Sequence, residues 1–224
     1  REPAITRQEI PRLCAMMSLV RPAALRIASA VPTVEALLRA VETADQSIRG
    51  HSERTSNLAS RLAHACNLSS TEQETARVAG LLHDVGKLGI PSVVLQKRGA
   101  LTKDERALVN THPEMGKQLV SGLGGLDRTV PAVLWHHERW DGTGYPRAIK
   151  GEDIPLTARI FAVVDVWDAL SSDRPYRKAW PYEKILEYMR EQSGTHFDPK
   201  VVALFLQMMV GAQETSQAAT TSGA

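Results

Sequence analysis

Helix-start signals followed by apolar periodicity recur along most of the chain, and this recurrence constrains the fold more than any other feature. Ser69 with Glu72 and Thr102 with Glu105 form two capping boxes, in which each pair satisfies backbone N–H groups at a helix start. Apolar residues follow each box at helical spacing, whereas the alternation typical of strands hardly appears. Independent caps that agree with the apolar pattern predict an all-α fold, a helical bundle over residues 33–210.

Single residues mark further helix boundaries. Thr33 can cap the first helix, and Gly86 can end a later one. Pro113 suits the first turn of another helix, and Asp198 can cap the last one. The apolar face of the first helix consists of Val34, Leu37, Leu38, Val41 and Ile48.

The ends of the chain differ from this helical middle. Residues 1–32 contain several prolines and an apolar stretch that charges interrupt, so they predict a connecting segment to an upstream sensor or regulatory region, without a membrane span. Residues 211–224 are small and polar and predict a disordered tail. The net charge of +2 includes no long basic run, which argues against a nucleic-acid polymer as partner. Two distant cysteines favour a reducing, cytoplasmic compartment.

Ligand-type side chains occur at five places in the helical middle. Each place alone has an ordinary interpretation as a polar helix end or a cap, and an isolated histidine pair favours that interpretation. Asp165 is different, because apolar residues flank it on both sides and a carboxylate there needs a cation or hydrogen-bond donors. The five places are His51, His83 with Asp84, His112, His136 with His137, and Asp165.

Two of these places carry adjacent residues, which restricts what they can bind. Neighbours on a helix differ by about 100° around its axis, so both cannot face one point. They can reach two ions about 3.5 to 4 Å apart, with a carboxylate as the bridge. Imidazoles and carboxylates without a thiolate suit iron, manganese, nickel or zinc better than calcium or magnesium. The pattern therefore predicts a metal cluster, with the adjacent histidines facing different parts of it.

Longer motifs carry a resemblance to a known family. The stretches "HDVGK" at 83–87 and "HHERWDGTGYP" at 136–146 are similar to the signatures of HD-GYP domains, the HD-superfamily phosphodiesterases that hydrolyse cyclic di-GMP. The resemblance implies an HD-superfamily helical bundle with a GYP-containing loop, and a catalytic domain over 33–210. It runs from about Thr33 to Met209 and includes "GHSER" at 50–54, "HPEMG" at 112–116 and "GTHFDP" at 194–199.

The resemblance implies a role for each ligand-type residue. Asp84 looks like a bridging ligand. Asp168 lies one helical turn after Asp165, and this spacing, apart from the resemblance, predicts that it orients a ligand or Arg174. Ser47 stands where some members have a glutamate that holds a third metal, and serine is a poor ligand. Two ions, iron or manganese, are therefore expected, and a third is the less favoured alternative. The implied metal ligands are His51, His83, Asp84, His112, His136, His137 and Asp165.

Substrate contacts follow from the same resemblance. Lys87 looks like the lysine that contacts the reacting phosphate, and it forms the expected catalytic pair with Asp84. Tyr145, Arg174 and Arg177 match positions that contact the nucleotide. For Tyr145, packing within the domain remains an alternative.

The implied activity is metal-dependent hydrolysis of cyclic di-GMP to pGpG, GMP or both, by a hydroxide that bridges the metals. Two alternatives stay open. One is an HD phosphohydrolase for another cyclic dinucleotide or nucleotide, and the other is a cyclic di-GMP-binding or scaffold module that docks on diguanylate cyclases. The possible protein partners are diguanylate cyclase domains and a second copy of the chain.

Overall fold

The computed structural model describes residues 32–45, 50–173 and 177–221, with side chains described up to residue 211. These residues form helices joined by short 3-10 turns and no named strand, which confirms the predicted all-α fold. The turns are Val85–Gly89, Asp127–Thr129 and Gly151–Asp153. The helices are α1 (32–44), α2 (His51–Ala65), α3 (Ser70–Leu82), α4 (Ser92–Leu95), α5 (Lys103–Val109), α6 (His112–Ser121), α7 (Val130–Trp135), α8 (Leu156–Ser171), α9 (Tyr182–Glu191) and α10 (Pro199–Thr221).

The predicted caps are present at three helix starts. Both capping boxes form, at Ser69 before α3 and at Thr102 before α5. At the start of α10, Asp198 Oδ1 accepts from the backbone N–H of Lys200 at 2.8 Å. Pro113 lies in the first turn of α6, as predicted. Local side-chain chemistry therefore determines where these helices begin.

Three predicted boundaries differ from the structure. Residue 32 is already helical, so Thr33 lies inside the first turn of α1 and does not cap it. α3 ends at Leu82, and Gly86 lies in the following 3-10 turn. α10 continues to Thr221, through most of the segment predicted as a disordered tail, because that stretch is rich in alanine and glutamine and lacks a proline to end the helix. The connecting segment predicted before residue 32 lies outside the described residues.

Two apolar clusters stabilise the bundle. The first joins α2, α8, α9 and α10 through fully buried side chains that include Leu62, Phe161 and Phe205. The second joins α1 to α3, α6 and α7 and includes Val34 and Leu82. Each side chain of this size contributes about 1.5 to 3 kcal/mol when fully buried.

Polar side chains lie between these two clusters. Two glycines allow the helices and turns that carry them to pack closely. A Cβ at Gly80 of α3 would overlap the backbone of Ser56 in α2. A Cβ at Gly86 would overlap the carbonyl oxygen of His112 at the start of α6. Gly86 is thus required for close packing and not for ending a helix. These contacts place the starts of α2 and α6 beside the end of α3.

A helix needs about 20 predominantly apolar residues to span a bilayer. None of the described helices combines enough length with enough apolar character to cross a membrane.

Candidate metal centre

Four buried histidines lie at helix ends and converge between the two apolar clusters. His51 is the first residue of α2, and His112 is the first residue of α6. His83 and His136 directly follow the last residues of α3 and α7. The ring of His83 lies 4.6 Å from the ring of Phe161 on α8, which closes one side of the site. All four are at most 2% exposed.

Backbone carbonyls orient three of these rings. The Nδ1 atoms of His83, His112 and His136 lie 2.9, 2.7 and 2.8 Å from the carbonyl oxygen three residues earlier in each case. A carbonyl oxygen can only accept, so each Nδ1 carries the proton. In the neutral ring the Nε2 atom then presents a lone pair to the centre of the site, which is the arrangement of metal-ligating histidines.

The ligand atoms form two groups. Within each group the three atoms lie within 4.8 Å of one another. Helix ends, together with Asp165 in the middle of α8, therefore supply two neighbouring positions in which an ion could have three protein ligands. One group consists of His51, His83 and Asp165, and the other consists of His112, His136 and His137.

Asp84 lies between the two groups. Its Oδ2 atom is 3.3 Å from Nε2 of His83, and its Oδ1 atom is 3.4 Å from Nε2 of His112. Each oxygen of one carboxylate thus faces a different group. This is the placement that a bridging carboxylate requires.

The adjacent histidines do not face separate parts of the site, contrary to the expectation from helical geometry. His136 and His137 belong to the same group, and their ring centroids are 4.0 Å apart. The rule of about 100° per residue applies within a helix, but α7 ends at Trp135 and the chain turns there. The pair that does reach both groups is His83 with Asp84.

The separations between ring nitrogens test whether these residues fit a metal. Nε2 of His51 is 3.3 Å from Nε2 of His83, and Nε2 of His112 is 3.2 Å from Nε2 of His136. Two nitrogens that each lie about 2.0 to 2.1 Å from one ion are themselves about 3.0 to 3.4 Å apart. The nitrogen and oxygen ligands fit a divalent transition metal, and Cys66, the free cysteine among the described residues, is in neither group.

Protonation states agree with that fit on the His112 side of the site. Burial lowers the pKa of His137 to about 3 and holds that of His136 well below its ordinary value. Burial alone would raise the pKa of Asp84. The neighbouring Lys87 and His83 outweigh the effect of burial and hold this pKa well below the usual range. At neutral pH these imidazoles are neutral and the carboxylate is ionised, which are the forms that bind metals.

His51 has a different electrostatic environment. Burial lowers its pKa, but hydrogen bonds to Asp165 and Asp168 outweigh burial and raise it to about 9. Its Nδ1 is 2.7 Å from Oδ2 of Asp168, and Arg54 holds both oxygens of that carboxylate at 2.6 and 2.9 Å. Asp168 therefore fixes the ring orientation of His51, and Arg54 fixes Asp168. A metal that binds His51 must displace a proton.

Lys87 and Tyr145 both contact the centre. Nζ of Lys87 lies 2.8 Å from Oδ2 of Asp84. The ring of Tyr145 stacks on His137 with centroids 4.8 Å apart, and its backbone N–H donates to the His137 carbonyl at 3.2 Å. Burial raises the pKa of the Tyr145 hydroxyl, so this group is a protonated donor at neutral pH.

Arg177, another predicted substrate residue, is held by neighbours outside the ligand groups. The guanidinium of Arg177 donates to the carbonyl of Ala169 and lies 5.9 Å from the ring centroid of Trp180. A phosphate contact would need this side chain to leave both partners. Arg174 and Ser47 lie outside the described residues.

Sequence reasoning missed three charged residues of the site. Arg54 lies one helical turn after His51, and this spacing is a usable signal. Glu138 follows the histidine pair and is 1% exposed. It accepts from the backbone N–H of Arg147 at 2.7 Å, which anchors the end of the GYP-containing loop at 141–146, the glycine-rich loop. Asp45 contacts Lys87 from the end of α1, and no local pattern predicts that contact.

His196 lies in the loop that pairs with the glycine-rich loop, where its carbonyl accepts from the Trp140 N–H at 3.0 Å. Burial lowers its pKa from 6.5 to about 4, and the unfolded chain keeps the ordinary value. Unfolded protein therefore binds more protons in this window, so the free energy of unfolding falls as pH drops from 6.5 to about 4. We expect His196→Asn to reduce that fall by about 1 to 3 kcal/mol in urea denaturation of metal-free protein, since each unit of a pKa shift corresponds to about 1.4 kcal/mol.

The control for this prediction is His64→Asn, because His64 is exposed and has no contact with the centre. His64→Asn should follow the pH dependence of the unmodified protein. Identical pH dependence of all three proteins would contradict the assignment of this contribution to His196.

A helical bundle that brings five imidazoles and two carboxylates together between its apolar clusters defines an all-α protein of the histidine–aspartate class. The chain belongs to the HD domain family, since the family model described as "HD domain" matches residues 35–201. Members of this family that act as phosphodiesterases are metal-dependent, and the His and Asp groups described above could hold metals.

Relatives of the chain include named phosphodiesterases. It is 44% identical, over 78% of its length and 47% of the relative, to the cyclic di-GMP phosphodiesterase response regulator RpfG of Xanthomonas campestris pv. campestris. It is 39% identical, over 76% of its length and 33% of the relative, to the 3'3'-cGAMP-specific phosphodiesterase 2 of Vibrio cholerae. The chain thus spans less than half the length of either protein.

A solved structure has the same fold. The crystal structure of the cyclic GMP-AMP-specific phosphodiesterase V-cGAP3 of V. cholerae matches with a TM-score of 0.62 at 21% identity, over 82% of this chain and 50% of that one. The match supports the HD-type helical fold predicted from the sequence.

Proposed function

We propose that the protein is a metal-dependent phosphodiesterase that hydrolyses cyclic dinucleotides, with cyclic di-GMP as the preferred substrate. The observation that carries the proposal is Asp84, whose two oxygens face two separate groups of imidazole ligands. The named relatives act on cyclic dinucleotides of two kinds. The higher identity is to the cyclic di-GMP enzyme, which favours that substrate.

The proposed centre holds two metal ions, iron or manganese. His51, His83 and Asp165 would hold one, the other group of three would hold the second, and Asp84 would bridge them. When bound, such ions supply positive charge for the phosphoryl oxygens and lower the pKa of water towards neutrality.

Side chains of this chain would bind and orient the substrate. The Lys87 ammonium lies beside Asp84 and can donate to a non-bridging phosphoryl oxygen. The Tyr145 ring stacks on His137, and its protonated hydroxyl could donate to the nucleotide. We retain Arg174 and Arg177 as proposed contacts for the second phosphate, with Arg177 leaving its present partners.

The reaction is the addition of one water to one phosphodiester. A bond forms between the water oxygen and phosphorus, and the bond from phosphorus to one sugar oxygen breaks. That sugar oxygen takes a proton, so the first product is the linear dinucleotide pGpG. A second hydrolysis of the same kind gives GMP.

The test compares turnover of cyclic di-GMP, 3'3'-cGAMP and GTP by protein purified without oxygen and loaded with iron or manganese. We expect cyclic di-GMP to be hydrolysed fastest. His136→Gln should lose turnover, whereas His64→Gln, an exposed histidine outside both groups, should keep it. Faster turnover of 3'3'-cGAMP would assign the site to that substrate, and turnover of GTP alone would overturn the cyclic dinucleotide class.

A further inference from the structure

The C-terminal end of α1 meets the proposed metal centre through a buried carboxylate. Asp45, the residue after α1, is 6% exposed, and its Oδ2 atom lies 3.3 Å from Nζ of Lys87. The same Nζ lies 2.8 Å from Oδ2 of Asp84. The ammonium group therefore lies between one carboxylate of the centre and one carboxylate supplied by α1.

A second contact joins α1 to the start of α2. Oε1 of Glu42 accepts from the backbone N–H of Gly50 at 3.0 Å. Gly50 is the N-cap of α2 and has no side chain to provide a cap, and the next residue is His51. Glu42 therefore satisfies a backbone donor beside the first histidine of the centre.

Packing fixes α1 in the position from which it makes these contacts. Val34 and Val41 on α1 are 5% and 3% exposed and belong to the same apolar cluster as Leu82 and Val85, which flank His83 and Asp84. A shift of α1 along this cluster would move both carboxylates. The helix and the two segments that carry His83 and Lys87 are thus packed as one unit.

A lysine needs such a second partner to be held in one place. Its side chain has four carbons with free rotation, and its ammonium is a point charge without the fixed geometry of a guanidinium. With Asp84 as its single partner, the ammonium would be free to swing about that one contact. Asp45 opposes that movement.

We propose that Asp45 is a positioning residue for Lys87, and that α1 controls the centre through Asp45 and Glu42. The inference rests on the proposed function and adds to it a route by which displacement of α1 changes activity.

The test is a double-mutant cycle with Asp45→Asn and Lys87→Met. We expect Asp45→Asn to lower kcat by about ten-fold with metal content and KM unchanged, and Asp45→Glu to restore part of the loss. In the Lys87→Met background, Asp45→Asn should have no further effect, since a positioning residue has nothing left to position. Glu35→Gln is the matched control, because Glu35 is an exposed carboxylate on the same helix.

Amide hydrogen exchange supplies a readout that does not depend on turnover. Asp45→Asn should speed exchange in the turn Val85–Gly89, whereas Glu35→Gln should not. The inference is overturned if Asp45→Asn matches Glu35→Gln in kcat or exchange, or if the effects of Asp45→Asn and Lys87→Met multiply. Absence of turnover in unmodified protein would instead contradict the proposed function, and the exchange result would still decide the positioning role.

Discussion

Asp84→Asn is expected to cause the largest loss of function of any single conservative change in the chain. Asparagine keeps the size of aspartate but replaces one oxygen with an NH₂ group, which has no available lone pair to donate to a metal. Because the two oxygens of Asp84 face different ligand groups, the change should remove the bridge. We expect the protein to lose bound metal and its turnover to fall about 10³-fold or more, which is the size of effect seen when one of several catalytic groups that act together is removed.

The matched control is Asp127→Asn, which changes an exposed aspartate in the same way. It should retain both metal and turnover. Thermal unfolding of the metal-free proteins separates loss of the centre from loss of the fold. Full metal content and unchanged turnover in Asp84→Asn would show that this carboxylate does not bridge.

Lys87→Met is expected to separate catalysis from metal binding. Methionine preserves most of the length of the side chain and removes its charge. Burial lowers the pKa of Lys87, but Asp84 and Asp45 outweigh burial and raise it, so the side chain is charged at neutral pH. If this charge stabilises the developing charge on phosphoryl oxygens, kcat should fall about 10²- to 10³-fold while metal content stays the same.

Lys103→Met is the control for this change, because Lys103 is an exposed lysine at the start of α5. Single-turnover measurements under anaerobic conditions, with metal analysis of the same samples, give both quantities. Loss of metal equal to that in Asp84→Asn would mean that Lys87 stabilises the centre rather than the transition state.

Much of the fold follows from local sequence signals. The capping boxes at Ser69 and Thr102 and the cap at Asp198 form as predicted, because each depends only on residues a few positions apart. The prediction that Gly86 ends a helix is wrong for the opposite reason. Its role is to let the His112 carbonyl approach, and a contact between elements leaves no trace in the local pattern.

The ligand-type residues could be selected from the sequence, but their arrangement could not. Spacing along a helix suggested that His136 and His137 face different ions, whereas the end of α7 at Trp135 puts both in one group. The contact of Asp45 with Lys87 joins residues 42 positions apart, so only the packing of α1 brings it about. The predicted diguanylate cyclase partner and homodimer remain predictions.

The most direct test of the central claim measures metal content and turnover on one anaerobically purified sample. Iron or manganese should approach two ions per chain, and the rate of cyclic di-GMP hydrolysis should rise in proportion to occupancy. Asp84→Asn should neither approach two ions per chain nor hydrolyse cyclic di-GMP. A fully metallated protein that hydrolyses no cyclic dinucleotide and behaves identically to Asp84→Asn would contradict the account.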